Sequence, residues 1–179
     1  MPTFDWIQVA VSSYCNASCI YCPRTVYQRH WKNEHLSLET FRYLLPAFSK
    51  SRLIFLQGWG EPFLNPKLFT MIHLAKSAGC QVGTTTNGML LDAGVLNRLV
   101  DLEVDILAFS LAGVDERNDL RRQGTRIERV LTAIRGLDEI KKKRGKSKPE
   151  AHIAYMLIRS GMDDLVKRGE WDWTKLVPV

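Results

Sequence analysis

The 179-residue sequence predicts an α/β protein built on a parallel sheet. Two observations predict it. Short β-type runs alternate along the chain with longer helical ones. The runs are mostly apolar rather than strictly alternating, as strands covered on both faces are. Strand–helix alternation then implies right-handed βαβ units.

The first β run is Trp6–Val11, ending beside the first cysteine. The second, Leu53–Leu56, meets Gly58-Trp59-Gly60. The third, Cys80–Thr85, ends at Asn87-Gly88, a strong turn signal. Ile106–Phe109 and Ala151–Leu157 complete five strands. Between them, Phe41, Leu44, Leu45 and Phe48 repeat at helical spacing behind Ser37, a suitable N-cap. Asn65-Pro66 opens a second helix that Gly79 closes. Asp92 caps a third. Thr125 and Glu128 spell a capping box before Ile127, Val130, Leu131, Ile134, Leu137 and Ile140. The run Lys141–Lys148 reads as a solvated helix end whose cations suit the negative dipole terminus. After Leu165 the pattern decays. The expected division is a core over residues 1–165 and an atypical tail over 166–179, whose Trp171–Val179 stretch folds back or leaves the last strand as an open edge. An open edge offers unpaired backbone groups to another chain.

With 25 Lys+Arg against 19 Asp+Glu, the formal net charge is +6. At 45% hydrophobic and 25% charged, the composition excludes disordered and fibrous classes. No run approaches the roughly 18 apolar residues of a membrane span. The segment Met1–Asp5 lacks the basic and apolar regions of a secretory signal, so a cytoplasmic location is expected. In that compartment the four cysteines are expected as thiols, not disulfides.

Cys15, Cys19 and Cys22 fall within eight residues at the end of a predicted strand, where α/β folds bind ligands. A structural zinc site needs a fourth ligand, which is missing locally. Cys80 begins a strand and belongs at the opposite end. Three thiolates suit an iron–sulfur cubane better.

The spacing C-x3-C-x2-C, with Tyr21 before the last cysteine, resembles the signature of the radical S-adenosylmethionine superfamily. Further segments match in order over roughly residues 5–165: Gly58-Trp59-Gly60-Glu61-Pro62, Thr86-Asn87-Gly88 and Phe109-Ser110-Leu111-Ala112-Gly113. Within the family the chain is most similar to members whose core precedes an auxiliary SPASM or twitch domain, which this sequence lacks. The resemblance implies a partial (β/α)6 TIM-like barrel. It implies a [4Fe–4S] cluster held by Cys15, Cys19 and Cys22. It also implies S-adenosylmethionine bound by Tyr21, Gly60, Glu61, Pro62, Thr86, Asn87, Ser110, Arg122 and Leu157. Arg121 competes with Arg122, and Met156 with Leu157, for the matching register. Trp59 stands where many relatives have Gly, and Ala112 replaces an Asp. That leaves the Asp's part in substrate handling unfilled.

The implied activity is reductive cleavage of S-adenosylmethionine to a 5′-deoxyadenosyl radical, which abstracts hydrogen from a peptide or small metabolite. It calls for an electron donor such as flavodoxin or ferredoxin. Two other readings stay open at this point. One is a fragment that binds the cluster without turnover. The other is a zinc-bearing nucleic-acid-binding module, against which stand the missing ligand pair and the lack of aromatic–basic interleaving.

Overall fold

The computed structural model describes residues 3–158. The expectations for Arg159–Leu165 and for Trp171–Val179 lie outside the described residues, as does the boundary between 165 and 166. Five strands form one sheet: β1 Phe4–Val9, β2 Ser51–Leu56, β3 Gln81–Thr86, β4 Ile106–Leu111 and β5 Glu150–Tyr155. They stand in sequence order, and every neighbouring pair is parallel. All strand C-termini therefore lie at one end of the sheet.

The helices are α1 Pro23–Val26, α2 Leu38–Tyr43, α3 Leu45–Phe48, α4 Leu68–Ser77, α5 Ala93–Asp101, α6 Arg117–Arg121 and α7 Ile127–Arg144. Ser37 caps α2 by accepting from the Thr40 N–H, and Asp92 caps α5 by accepting from the Val95 N–H. Pro46, lacking a donor, accompanies the break between α2 and α3. Phe41, Phe48, Ile54, Leu56, Met71, Leu99, Leu107, Phe109 and Leu137 are fully buried in the core they share with the sheet.

Two caps depart from expectation. Helix α4 starts at Leu68, not Pro66. Asn65 instead accepts from the Lys67 N–H and donates to the Val11 and Leu36 carbonyls, tying the start of α4 to the chain after β1. The capping box before α7 does not form. Thr125 Oγ1 donates to the Arg122 carbonyl, and the Ile127 N–H goes to Asp119 of α6, at 2.7 Å. A carboxylate from a neighbouring element does the capping because Thr125 is drawn into the turn behind it.

The basic run after α7 faces a matching acidic one. Arg144 pairs with Asp101, Lys146 with Glu103 at 2.7 Å, and Lys148 with Asp105. Every second residue from 144 to 148 thus meets every second residue from 101 to 105. These cations stitch β4 to β5 and are engaged within the fold. Asp105 is the buried end of this ladder. Its carboxylate also accepts from Lys76 Nζ and from the Val82 N–H, both at 2.8 Å. Burial opposes its ionisation, but Lys148, Lys76 and the Val82 N–H outweigh that and hold its pKa below the usual carboxylate range. Its contribution is therefore present above the ordinary Asp range and is lost as the pH falls through the lowered value. Asp105→Asn is expected to destabilise the chain by about 2 kcal/mol at neutral pH, as for a charge-assisted hydrogen bond. Urea unfolding at pH 7 checks this.

Among the described residues β5 is an edge strand. Ile153, Tyr155, Met156 and Leu157, at and beyond its end, are between 40% and 51% exposed. No helix among the described residues is long and apolar enough to cross a membrane.

Candidate active site

The site is assembled from the loops that leave the C-terminal ends of the strands. The segment after β1 carries the three cysteines. It is pinned by a two-residue antiparallel ladder, Ser18–Cys19 against Arg122–Gln123. The ladder sets Cys19 opposite Arg122, 103 positions later in sequence. Cys22 heads α1, where its carbonyl accepts from the Thr25 and Val26 N–H groups.

The loop after β2 lies hard against this segment. A Cβ on Gly60 would come within 2.3 Å of the Ser12 carbonyl oxygen and 2.5 Å of the Tyr14 one, so only glycine fits. The next N–H, that of Glu61, donates to the Tyr14 carbonyl at 2.7 Å.

Glu61 is 2% exposed. Its carboxylate accepts from Thr86 Oγ1 and the Asn87 N–H, both at 2.8 Å, and from the Phe63 N–H at 3.3 Å. One buried carboxylate thus ties the end of β3 to the loop after β2. Burial pushes its pKa up to about 7, against the lowering pull of those donors and of Arg122.

Asn87, released at the end of β3, reaches back to the cysteines. Its Nδ2 donates to Asn16 Oδ1 at 2.7 Å and to Cys15 Sγ at 3.8 Å. Cys15 Sγ also accepts from the Ala17 N–H at 3.4 Å. Burial nevertheless raises the Cys15 and Cys19 thiol pKa values, against the lowering pull of the Ala17 N–H on Cys15 and of Arg122 on Cys19. Arg122 is 8% exposed. It donates from Nη1 to the Tyr21 hydroxyl at 2.7 Å, and its buried Nε has no partner.

These groups share one cavity of about 470 Å³. That volume falls within the range of roughly 300–1,000 Å³ typical of small-molecule sites. Cys15, Cys19, Tyr21, Cys22, Gly60, Glu61, Thr86, Asn87, Ser110 and Arg122 all line it. Two expected residues do not. Pro62 is buried at the start of a 3-10 turn and does not line the cavity. Leu157 also stays off the wall, and Met156 stands there in its place. The rival Arg121 is turned elsewhere, with Nη1 on the Ala112 carbonyl at 2.8 Å. Gln57, Trp59 and Thr85 also line the cavity and were not anticipated. Their signal was present, since each sits in or beside a strand-end motif. Cys80 is buried at the opposite end of β3, donating to the Phe48 carbonyl at 3.0 Å.

Comparison with protein families matches the Radical SAM superfamily over residues 9–165. The chain belongs to the radical SAM superfamily. Members of this superfamily are enzymes that use a [4Fe–4S] cluster and S-adenosylmethionine. Among curated proteins, the chain is 25% identical over 166 residues to the tungsten-containing aldehyde ferredoxin oxidoreductase cofactor-modifying protein of Pyrococcus furiosus, covering 89% of this chain and 46% of the relative. It is 34% identical over 137 residues to GTP 3′,8-cyclase of Chlorobaculum tepidum, covering 74% and 40%. The chain thus spans less than half the length of these relatives. Among solved structures, BtrN in complex with AdoMet and 2-DOIA superposes with a TM-score of 0.63 at 21% identity, covering 86% of this chain and 58% of that one. Native anSMEcpe with bound AdoMet gives 0.66 at 20%, covering 84% and 43%. These likenesses show a radical SAM partial-barrel fold.

The residues present fit what the superfamily uses. Three thiols line one cavity, and Arg122, the one cation among its described lining residues, keeps a buried donor without an acceptor. Among the described residues no three His, Cys, Asp or Glu side chains converge as ligands of a single metal ion. A cubane takes its thiolates at separate corners and needs no such convergence.

Proposed function

We propose that this chain is the core of a radical SAM enzyme. In this reading residues 1–165 form the core, Cys15, Cys19 and Cys22 hold the [4Fe–4S] cluster, and the other strand ends hold S-adenosylmethionine. The observation that carries it is convergence: groups from the ends of β1, β2, β3 and β4 and from the turn after α6 line a single cavity. When bound, the cluster and cofactor supply one-electron cleavage of a sulfonium C–S bond, giving a 5′-deoxyadenosyl radical for hydrogen abstraction.

The chain's own residues would position and shield. Arg122, held by the Tyr21 hydroxyl, offers its free Nε to a carboxylate. Ser110 supplies a hydroxyl from the end of β4. Gly60 lets backbone approach where any side chain would collide. Glu61 acts as a positioning residue, because its oxygens are taken up by Thr86, Asn87 and Phe63. The substrate would be a peptide or small metabolite, and the reductant a protein electron carrier. Two neighbours support that range: Streptococcus suis SuiB bound to the precursor peptide SuiA, and BtrN bound to 2-DOIA. Self-association through the β5 edge belongs to the same proposal.

Anaerobic reconstitution tests it. The expected product is a brown protein that contains iron and sulfide and forms 5′-deoxyadenosine with dithionite and S-adenosylmethionine. Cluster formation without 5′-deoxyadenosine would make it a binding fragment; a colourless, iron-free product would overturn the reading. Arg122→Ala is expected to weaken calorimetric cofactor binding by about 1.5–3 kcal/mol, as for a hydrogen bond to a charged group. Arg121→Ala should leave that affinity unchanged.

A further inference from the structure

Asn87 stands one residue past β3, in a motif whose resemblance points to the cofactor. Its side chain is nevertheless engaged by the protein on every side. The residue is 4% exposed. Its Oδ1 accepts from the Met89 N–H at 2.9 Å. That bond settles which way the amide faces, since Nδ2 must then point the other way. Nδ2 carries two hydrogens. One goes to Asn16 Oδ1 at 2.7 Å, and the other to Cys15 Sγ at 3.8 Å, the longer reach suiting a sulfur acceptor.

The backbone beneath is held as firmly. The Asn87 N–H donates to Glu61 Oε2 at 2.8 Å. Thr86 Oγ1 donates to Glu61 Oε1 at 2.8 Å and accepts from the Gly88 N–H at 3.0 Å. One buried carboxylate thus anchors the turn after β3. The turn in its place aims an amide donor at a cysteine sulfur 72 positions earlier in sequence.

We infer that Asn87 is a positioning residue that sets the reduction potential of the cluster through the Cys15 sulfur. The inference rests on the assignment of Cys15 as a cluster ligand. An electron added to a cluster increases the negative charge on its ligating sulfurs. A donor fixed in advance stabilises the reduced state more than the oxidised one, and so raises the potential. Enclosure strengthens the effect, because a polar interaction is stronger away from water. The Ala17 N–H gives Cys15 another donor at 3.4 Å, but that group travels with the cysteine segment itself. Asn87 arrives from a different strand. It therefore ties the potential to the packing of β3 against the segment after β1. A role on S-adenosylmethionine is less well served, because both amide hydrogens are already spent on the protein.

The test reads the potential without S-adenosylmethionine, so that a role confined to the cofactor cannot move it. The full chain is reconstituted anaerobically as the parent, Asn87→Ala, Asn87→Asp and Asn16→Ala. Each is titrated with dithionite in the presence of redox mediators. Reduced cluster is counted by electron paramagnetic resonance, which sees only the loaded fraction. At the parent's midpoint potential, the ratio of reduced to oxidised cluster in Asn87→Ala is expected to be about ten-fold lower, equivalent to about 59 mV for a one-electron couple. Asn87→Asp keeps an acceptor for the Met89 N–H but cannot donate to sulfur. It should fall at least as far, and it reads the same shift should the alanine variant fail to load. Asn16→Ala removes the neighbouring acceptor and leaves the donor to Cys15 in place, so its ratio should not fall. Ratios in the Asn87 variants within about two-fold of the parent overturn the inference. So does an equal fall in Asn16→Ala, which would trace the shift to a loosened cysteine segment. A parent that takes up no iron overturns the cluster assignment and this inference with it. A loaded parent whose potential the Asn87 variants leave unmoved overturns this inference alone.

Discussion

Replacing Cys15, Cys19 or Cys22 singly by alanine is expected to remove most of the iron from the reconstituted protein. Cys80→Ala should retain a full complement. The contrast follows from placement. The first three thiols share one cavity wall at the C-terminal end of the sheet. Cys80 lies at the other end, 4% exposed, with its thiol on the Phe48 carbonyl. A cubane gives one thiolate to each of three irons, so losing one leaves a second iron open and the cluster poorly held. Iron and acid-labile sulfide assays, with the visible spectrum, check the result. Iron loss in Cys80→Ala alone would sink the assignment. Burial already raises the Cys15 and Cys19 thiols, so ligation has to overcome that cost, and metal uptake should rise with pH.

The second large effect is expected at Glu61. In the iron-free chain its carboxyl is held near a pKa of about 7 by burial. An unfolded chain would ionise it in the ordinary carboxylate range. Its proton is therefore favoured by the fold, and stability is fully present below about pH 4.5 and is lost as the pH rises through 7. The loss amounts to about 3 kcal/mol once ionisation is complete. Glu61→Gln keeps an acceptor for the Asn87 N–H and cannot ionise. Its stability should exceed that of the parent above pH 7 and match it near pH 5. Glu61→Ala should cost about 4 kcal/mol near pH 5, because it strips the acceptor from three buried donors, and less as the pH rises through 7 and the parent loses stability. Urea unfolding of both variants between pH 5 and pH 8 separates these outcomes. Identical pH slopes in Glu61→Gln and the parent would show that Glu61 does not titrate in this window.

Much of this protein was legible in its sequence. The five strands were found to within a few residues, because most of them carry a mostly apolar run, continuous in the central strands β2 and β4 that the sheet buries. The caps at Ser37 and Asp92 were legible because each depends on a side chain and an amide three residues apart. The three cysteines and the motifs at the ends of β2, β3 and β4 were legible as patterns of spacing, and family membership follows from them.

Other features were settled only by the tertiary structure, since each depends on groups far apart in sequence. Thr125 and Glu128 spell a capping box, yet the Ile127 N–H belongs to Asp119, because α6 folds back onto the start of α7. The run from Arg144 to Lys148 reads as a solvated basic end, yet it is laddered onto Asp101, Glu103 and Asp105. Glu61 reads only as part of a Gly-Glu-Pro segment, and that its carboxylate accepts from Thr86 and Asn87 at the end of the next strand is visible only in the fold. Arg122 rather than Arg121 lines the cavity because the two-residue ladder with Cys19 sets its register. Local spacing determines which elements form and where they end. Which buried donor meets which acceptor is decided when the strands pack side by side, since a buried polar group takes the nearest partner in space and not the nearest in sequence.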